Sequence, residues 1–315
     1  MGTHDVALTH LDEPLFDDAD ATKGDLIDYL SAVSGRIIPA LRDRPLSVIR
    51  VRAGQEPFMQ KNLPSYAPDW IRSATIWSAT SRRDVRYAVC DEPDTLIWFG
   101  NQRAVEYHPT LSTLSHPGQP SYLILDIDPP EGETFAAAAG AALLVRRALE
   151  DSGLAGAIKT SGAKGLHIVV PVHAETSADD AAAATRAIAG RAEKLDPSLA
   201  TTAFVKADRG GKVFIDSTRA HGATVIAAYS PRIRPGVPVS FPLDWGALDP
   251  LSVAPGDFTI KNAISLLGDA DPWAAALPEP QVLPDDLVAE GHAIPVARVQ
   301  AMHEGKRRAR AARDS

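Results

Sequence analysis

With 315 residues, 45% of them hydrophobic, and a net charge of −8, the chain has enough apolar material for one large domain or two smaller ones. The acidic balance argues against a generic nucleic-acid coat protein. Cations nevertheless gather at Arg42, Arg44, Arg50 and Arg52, at Arg82, Arg83 and Arg86, at Arg232 and Arg234, and in the tail at 306–313, where they can attract phosphate. Cys90 is the single cysteine, which excludes a disulfide framework; there is no signal-peptide pattern and no apolar run near the ~18 residues of a membrane span, so a cytoplasmic protein is expected.

Leu26, Ile27, Leu30, Val33, Ile37 and Ile38 recur near a 3.6-residue spacing and predict an amphipathic helix over 23–43, with Thr22 as N-cap and Asp25 at the capping-box position. Pro45 then opens a strand, PLSVIRVR, in which Arg50 and Arg52 share a face. Short strands are expected at 74–77, 86–89 and 96–99, separated by polar or Pro-containing turns. YLILDID reads as a strand. An Ala-rich helix follows over 133–150, ended by Gly153, and Ser177 with Asp180 starts another that runs to about Leu195. Strands are expected near 157–160, 165–171, 213–216 and 223–228. Beyond residue 231 proline is frequent, so loops with short helices around 260–267 and 296–312 are predicted. The fold class is α/β (α+β), mixed central sheets flanked by helices.

Asp126 and Asp128 stand at i and i+2, so on a strand both carboxylates leave one face. A turn before Pro129 accounts for Asp128 but not for Asp126, which interrupts the apolar run Leu123, Ile124, Leu125 and Ile127; a bound cation would offset its burial. Asp216 ends a second apolar run, and three carboxylates sharing divalent ions are the usual apparatus of phosphoryl transfer.

Between them lies KTSGAKGLHIVVP, where Gly162 and Gly165 bracket a basic loop suited to an anion, with Ser161, Lys164 and His167 as donors. It is neither a Walker loop nor a dinucleotide fingerprint. Arg219, Arg232 and Arg234 can clamp phosphate oxygens or form a solvated face. Phe58, Met59 and Lys61 fit either core packing or a base-stacking group beside a phosphate contact. His108, in EYHP, is either a buried ring or a nucleotide contact. Cys90 has no nucleophile's partners and is assigned to the core.

In chain order stand RPLSVIR, FMQK, VEYHP, LDIDP, KTSGAKGLHIVVP, KVFID and AYSPRIRPGVPVS. This set resembles the polymerase domain of the bacterial ligase D family, a branch of the archaeo-eukaryotic primase superfamily, over about residues 8–272. With no ligase or phosphoesterase sequence attached, the chain is similar to the stand-alone members. The resemblance implies an archaeo-eukaryotic primase-like core over 8–295, with an N-terminal β/α module (about 8–115) packed on a catalytic part (about 116–295), and a basic tail at 296–315.

It also implies a template-dependent nucleotidyltransferase that uses two Mn²⁺ or Mg²⁺ ions, prefers ribonucleotides, and fills short gaps or joins ends in DNA repair. Asp126, Asp128 and Asp216 would hold the metals. His108, Ser161, Lys164, His167, Arg219, Arg232 and Arg234 would hold the incoming NTP or dNTP. Lys23, Arg50, Arg52, Phe58 and Lys61 would meet nucleic acid, with Phe58 stacking on the template. The implied partners are gapped or broken DNA, and Ku and a ligase; a monomer near the nucleoid is expected.

Three positions depart from the family. Glu13 stands where end-joining members carry one of two lysines that recognise a recessed 5′-phosphate, the other being Lys23. Ala220 replaces an Asn, and Met59 a second Phe. The competing readings are another metal-dependent phosphoryl enzyme, such as a nuclease or phosphatase, and a catalytically silent nucleic-acid-binding module. The tail is either a nucleic-acid-binding helix or a solvated end.

Overall fold

The structure, a computed structural model, describes residues 4–52, 54–78, 82–132, 135–219, 223–249 and 251–296. Ala220 and nearly all of the basic tail lie outside the described residues.

The N-terminal part begins with α1 (Lys23–Leu41), where Thr22 and Asp25 form the expected capping box and Leu26, Leu30, Val33 and Ile37 are buried. Next come β1 (Pro45–Arg52), β2 (Gln55–Gln60), β3 (Ser73–Ser78), β4 (Arg83–Val89), α2 (Pro93–Asn101) and β5 (Ala104–Pro109). β1 is the centre of this sheet: β5 runs antiparallel along one side, while β2 and β4 share the other, with β3 beyond β4.

Residues 96–99, expected as a strand, lie inside α2. Pro93 sits in its first turn, and Leu96, Trp98, Phe99 and Gly100 bury against α1. A four-residue apolar run does not distinguish a buried strand from a buried helix, and packing decided it. β2 and β5 were not expected.

The second sheet contains β6 (Tyr122–Asp128), then, after α3 (Phe135–Glu150), β7 (Ala157–Thr160), β8 (Leu166–Pro171), and, after α4 (Ala178–Leu195), β9 (Ala200–Thr201), β10 (Val213–Asp216) and β11 (Pro242–Leu243). Its order is β11-β7-β8-β6-β10-β9, antiparallel except for β10 with β9. Helices α3 and α4 pack on β6. Leu125, Ile127, Leu166, Ile168 and Ile215 are fully buried, so by alternation the intervening positions take the other face.

Short helices α5 (Ala263–Leu267), α6 (Pro272–Ala276) and α7 (Asp285–Ala293) close the chain, α7 against α4. Residues 223–228, expected as a strand, instead form an extended loop along β5, tied by Ala227 N–H to Tyr107 O at 3.0 Å and Val225 N–H to Pro109 O at 3.3 Å. This loop links the two sheets, and one buried cluster runs from Leu15 to Leu287 through both. Among the described residues no helix is long and apolar enough to cross a membrane.

Candidate active site

Register lays a row of polar side chains across four strands: Lys159 (β7) opposite His167 (β8), His167 opposite Asp126 (β6), and Asp126 opposite Asp216 (β10). Directly opposed residues have Cβ atoms ~4.5–5.5 Å apart and point to the same face. Asp128, two residues along β6, shares that face. Three carboxylates from two strands thus converge, none separated from its neighbour by more than one strand or one pleat.

Their crowding shows in their proton affinities. Burial, then the charges of Asp126 and Asp216, push the Asp128 carboxyl up to about 6, with Arg219 and Arg209 opposing. Asp126 goes the other way, to about 2: burial disfavours its charge, but His167 and the Arg219 guanidinium outweigh it. Arg219 Nη2 lies 3.1 Å from Asp126 Oδ2, and its Nε lies 3.3 Å from Asp216 Oδ2. The guanidinium therefore spans two of the acids. Burial and Lys159 pull His167 down to about 4, which leaves a neutral ring at pH 7.

The loop between β7 and β8 presses on this row. Ser161 Oγ accepts the N–H groups of Ala163 and Gly165, both at 3.2 Å, which curls the chain tightly. Two positions demand glycine. Gly162 has φ +69° and would put a Cβ 2.5 Å from the Arg232 side chain; a Cβ on Gly165 would sit 2.2 Å from Ile127 O. The loop is thereby seated on β6, and exposed Lys164 is carried to the mouth of the pocket.

The opposite wall comes from β5 and the 230s loop. Glu106 and His108 share a face of β5, and Glu106 Oε2 lies 2.9 Å from His108 Nε2. Its Oε1 accepts from Arg232 Nε at 3.1 Å and from Ile233 N–H at 3.0 Å, while Arg232 Nη1 donates to Ser161 O at 2.9 Å. Burial opposes the Glu106 charge, but His108, Arg232 and Ile233 keep its proton affinity below the usual value. One buried carboxylate thus aligns an imidazole and a guanidinium.

These walls enclose a cavity of about 660 Å³ lined by Asp126, Asp128, His108, Ser161, Lys164, His167, Arg219, Arg232 and Arg234. That volume is typical of small-molecule sites, ~300–1,000 Å³. Sequence reading missed Glu106, although the alternation E-Y-H on one strand signals it. Lys159, and Arg209, whose guanidinium lies 3.7 Å from the centre of the Phe214 ring beside Asp128, were missed as well.

The nucleic-acid candidates fare differently. Arg50 is only 6% exposed, and its guanidinium donates to Gln102 O and Gln60 Oε1, both at 2.7 Å, so it braces the sheet instead of offering itself to phosphate. Phe58 pairs with Arg50 and lies beneath Arg52, 5.1 Å from ring centre to guanidinium. The row Met59–Ile49–Glu106 faces the other way, so Met59, 47% exposed, is on the face of Glu106 and His108 whereas Phe58 is not. Arg52 and Lys61 are exposed. Lys23 is buried, its ammonium bonded to the Thr9 carbonyl and hydroxyl.

His4, Glu92 and Asp94 also bring possible metal-binding atoms within 4.8 Å of one another, but none lines the cavity. Their contacts read as an anchor: the His4 ring stacks on Trp70 at 4.5 Å, and the His4 backbone N–H donates to Asp94 Oδ2 at 2.7 Å.

A mixed sheet with an acidic row facing a cationic, glycine-looped cavity defines an enzyme of the nucleotidyltransferase class. The family model for the LigD primase-polymerase domain matches residues 22–273, and the chain belongs to that family. It is 34% identical over 263 residues to the bifunctional non-homologous end joining protein LigD of Bacillus subtilis, covering 82% of this chain and 42% of that protein. It is also 34% identical over 256 residues to the multifunctional non-homologous end joining DNA repair protein LigD of Mycobacterium tuberculosis, covering 78% and 33%. The chain therefore spans less than half the length of these relatives. Among solved structures it is similar to the polymerase domain from Mycobacterium tuberculosis ligase D in complex with DNA, with 31% identity and a TM-score of 0.79 over 86% of this chain and 98% of that one.

Proposed function

We propose that this primase-polymerase adds nucleotides, ribonucleotides in preference, to a primer 3′-hydroxyl on gapped or broken DNA, in the service of end joining. The observation that carries the reading is the register that sets Asp216 opposite Asp126, with Asp126 and Asp128 lining a cavity whose other walls include Lys164, Arg232 and Arg234. DNA as substrate is supported by the DNA in the ligase D structure, and the relatives' names support an end-joining setting, in which Ku and a ligase would be the partners.

The acidic row suits hard divalent cations. Its donors are all carboxylate oxygens, and even with the Arg219 guanidinium across two of them their mutual repulsion, together with burial, draws a proton onto Asp128. Asp126, Asp128 and Asp216 would hold Mg²⁺ or Mn²⁺, which when bound would acidify the primer hydroxyl and hold the triphosphate. Lys164, Arg232 and Arg234 offset the charge of the phosphates, with Arg232 aimed by Glu106. His108 and Ser161 border the nucleotide, and Met59 takes the template-facing place that the sequence assigned to Phe58. Arg52 and Lys61 remain available to the DNA backbone.

Metal binding should weaken in acid. A ligand carboxylate must be ionised, and Asp128 holds a proton below about 6, so metal and proton compete there. Mn²⁺ affinity of the free enzyme, read by electron paramagnetic resonance, is expected to be level above pH 7 and to fall up to about tenfold per unit below pH 6.

The functional test is nucleotide incorporation on a short-gapped duplex with NTP or dNTP and with Mn²⁺ or Mg²⁺, the downstream strand ending in 5′-phosphate or 5′-hydroxyl. Template-directed extension is expected; its absence under every condition would overturn the reading. Little preference for the phosphate is expected as well. Glu13 puts a carboxylate where the resemblance implies a phosphate-binding lysine and pairs with Arg103 at 2.9 Å, while Lys23, the other implied lysine, is turned inward onto Thr9. A large phosphate-specific gain would refute this part alone.

A further inference from the structure

The polar row ends on a fully buried lysine with no part in the chemistry above. Lys159 is 1% exposed, and its Nζ lies 2.9 Å from His167 Nδ1 and 2.7 Å from Ser240 Oγ. The Ser240 hydroxyl gives its single proton to Thr160 O, at 2.7 Å, so towards Lys159 it can only accept. As an ammonium, Lys159 carries three N–H donors and no lone pair, so towards both partners it can only donate. On the other side of the imidazole, Nε2 lies 3.3 Å from Asp126 Oδ1.

These contacts give the chain of hydrogen bonds a direction. We propose that Lys159 is a positioning residue that selects the Nε2–H tautomer of His167, so that the ring presents a donor to Asp126 and the pocket. A neutral imidazole bears its proton on one nitrogen, and the bond made by the other decides which. Lys159 donates to Nδ1, and the proton is left on Nε2. The opposite tautomer would turn a lone pair on the Asp126 carboxylate and on any phosphate oxygen nearby. A bulky buried amine that merely filled space would not need Ser240 to hold it at donor distance.

The consequence for catalysis rests on the nucleotidyl-transfer reading, but the tautomer does not, and it can be measured without substrate. Two-bond ¹H–¹⁵N correlation spectra of the full chain at pH 7 distinguish the protonated ring nitrogen, with His167 assigned by its absence in His167→Gln. Nε2–H is expected in the unaltered protein; Nδ1–H would overturn the proposal. Lys159→Met, which keeps the length and removes the donors, is expected to lose the preference and to raise the nucleotide KM about tenfold, as for one lost hydrogen bond to a charged group. Retention of Nε2–H in that variant would mean that Asp126 alone orients the ring, and the proposal would fall.

If Lys159→Met does not fold, Asp126→Ala answers the same question from the other side. Nε2–H persisting without an acceptor at residue 126 supports selection by Lys159; a switch to Nδ1–H refutes it. Failure of nucleotide incorporation together with an Nε2–H ring would sink the polymerase reading and leave this assignment standing.

Discussion

Asp126→Asn is expected to reduce nucleotide incorporation by about a thousandfold or more, because a divalent ion contributes several kcal/mol to phosphoryl transfer and each ~1.4 kcal/mol is tenfold in rate. Asp126 is the middle member of the row, opposite both His167 and Asp216, so it is the carboxylate that joins the two strands into one site. The amide keeps the shape and can still accept a hydrogen bond from His167. Thermal unfolding should therefore move little, while Mn²⁺ binding and primer extension collapse together. Incorporation within about tenfold of the unaltered enzyme, a loss under ~1.4 kcal/mol, would contradict the assignment of the metal site.

Arg232→Ala should injure both stability and binding. Arg232 connects Glu106 to Ser161 O, and Glu106 has only 6% of its side chain exposed. Removing one partner of a buried ion pair leaves an uncompensated charge, a cost of about 3 kcal/mol or more. In a chain of this size that is a fall in Tm of about 5–10 °C. The nucleotide KM should rise as well, since the same guanidinium borders the cavity. Adding Glu106→Gln to Arg232→Ala should restore part of the stability by removing the orphaned charge, without restoring the KM. If the second substitution only deepens the loss, Glu106 is held chiefly by His108 and Ile233, and the pairing with Arg232 is secondary.

The two responses differ because the two sites are built differently. The acids around Asp128 are crowded against one another, which costs stability and suits them to a cation. The Glu106 cluster is satisfied within the protein, and it aims its members at the cavity without help from a ligand. Substitutions in the first should spare the fold, and in the second should not.

Much of this was legible in the residues themselves. Alternation places Asp126 and Asp128 on one face of a strand, the capping box marks the start of α1, and the glycines at 162 and 165 announce a tight loop. Each is a short-range pattern, set by backbone geometry within a few residues. The resemblance to the ligase D polymerase domain lay in the order of such patterns and needed no coordinates.

What the pattern could not supply was register, cover and direction. Asp216 looked like any strand-ending acid until β10 paired with β6. Arg50 and Arg52 share a face, yet Gln60, Tyr66 and Gln102 cover the first and leave the second open. Phe58 and Met59 take opposite faces because one step along a strand reverses the face, and only the pairing of β1 with β5 put Met59 on the side of Glu106 and His108. Residues 96–99 became helical when α1 offered them a partner, and the sequence held no sign that Lys159 would be sealed beneath His167. The sequence by itself determined which chemical groups this enzyme owns and where its local elements begin; only the tertiary structure decided which of those groups meet, because strand pairing and burial depend on contacts between segments far apart in the chain, whose energies no single segment contains.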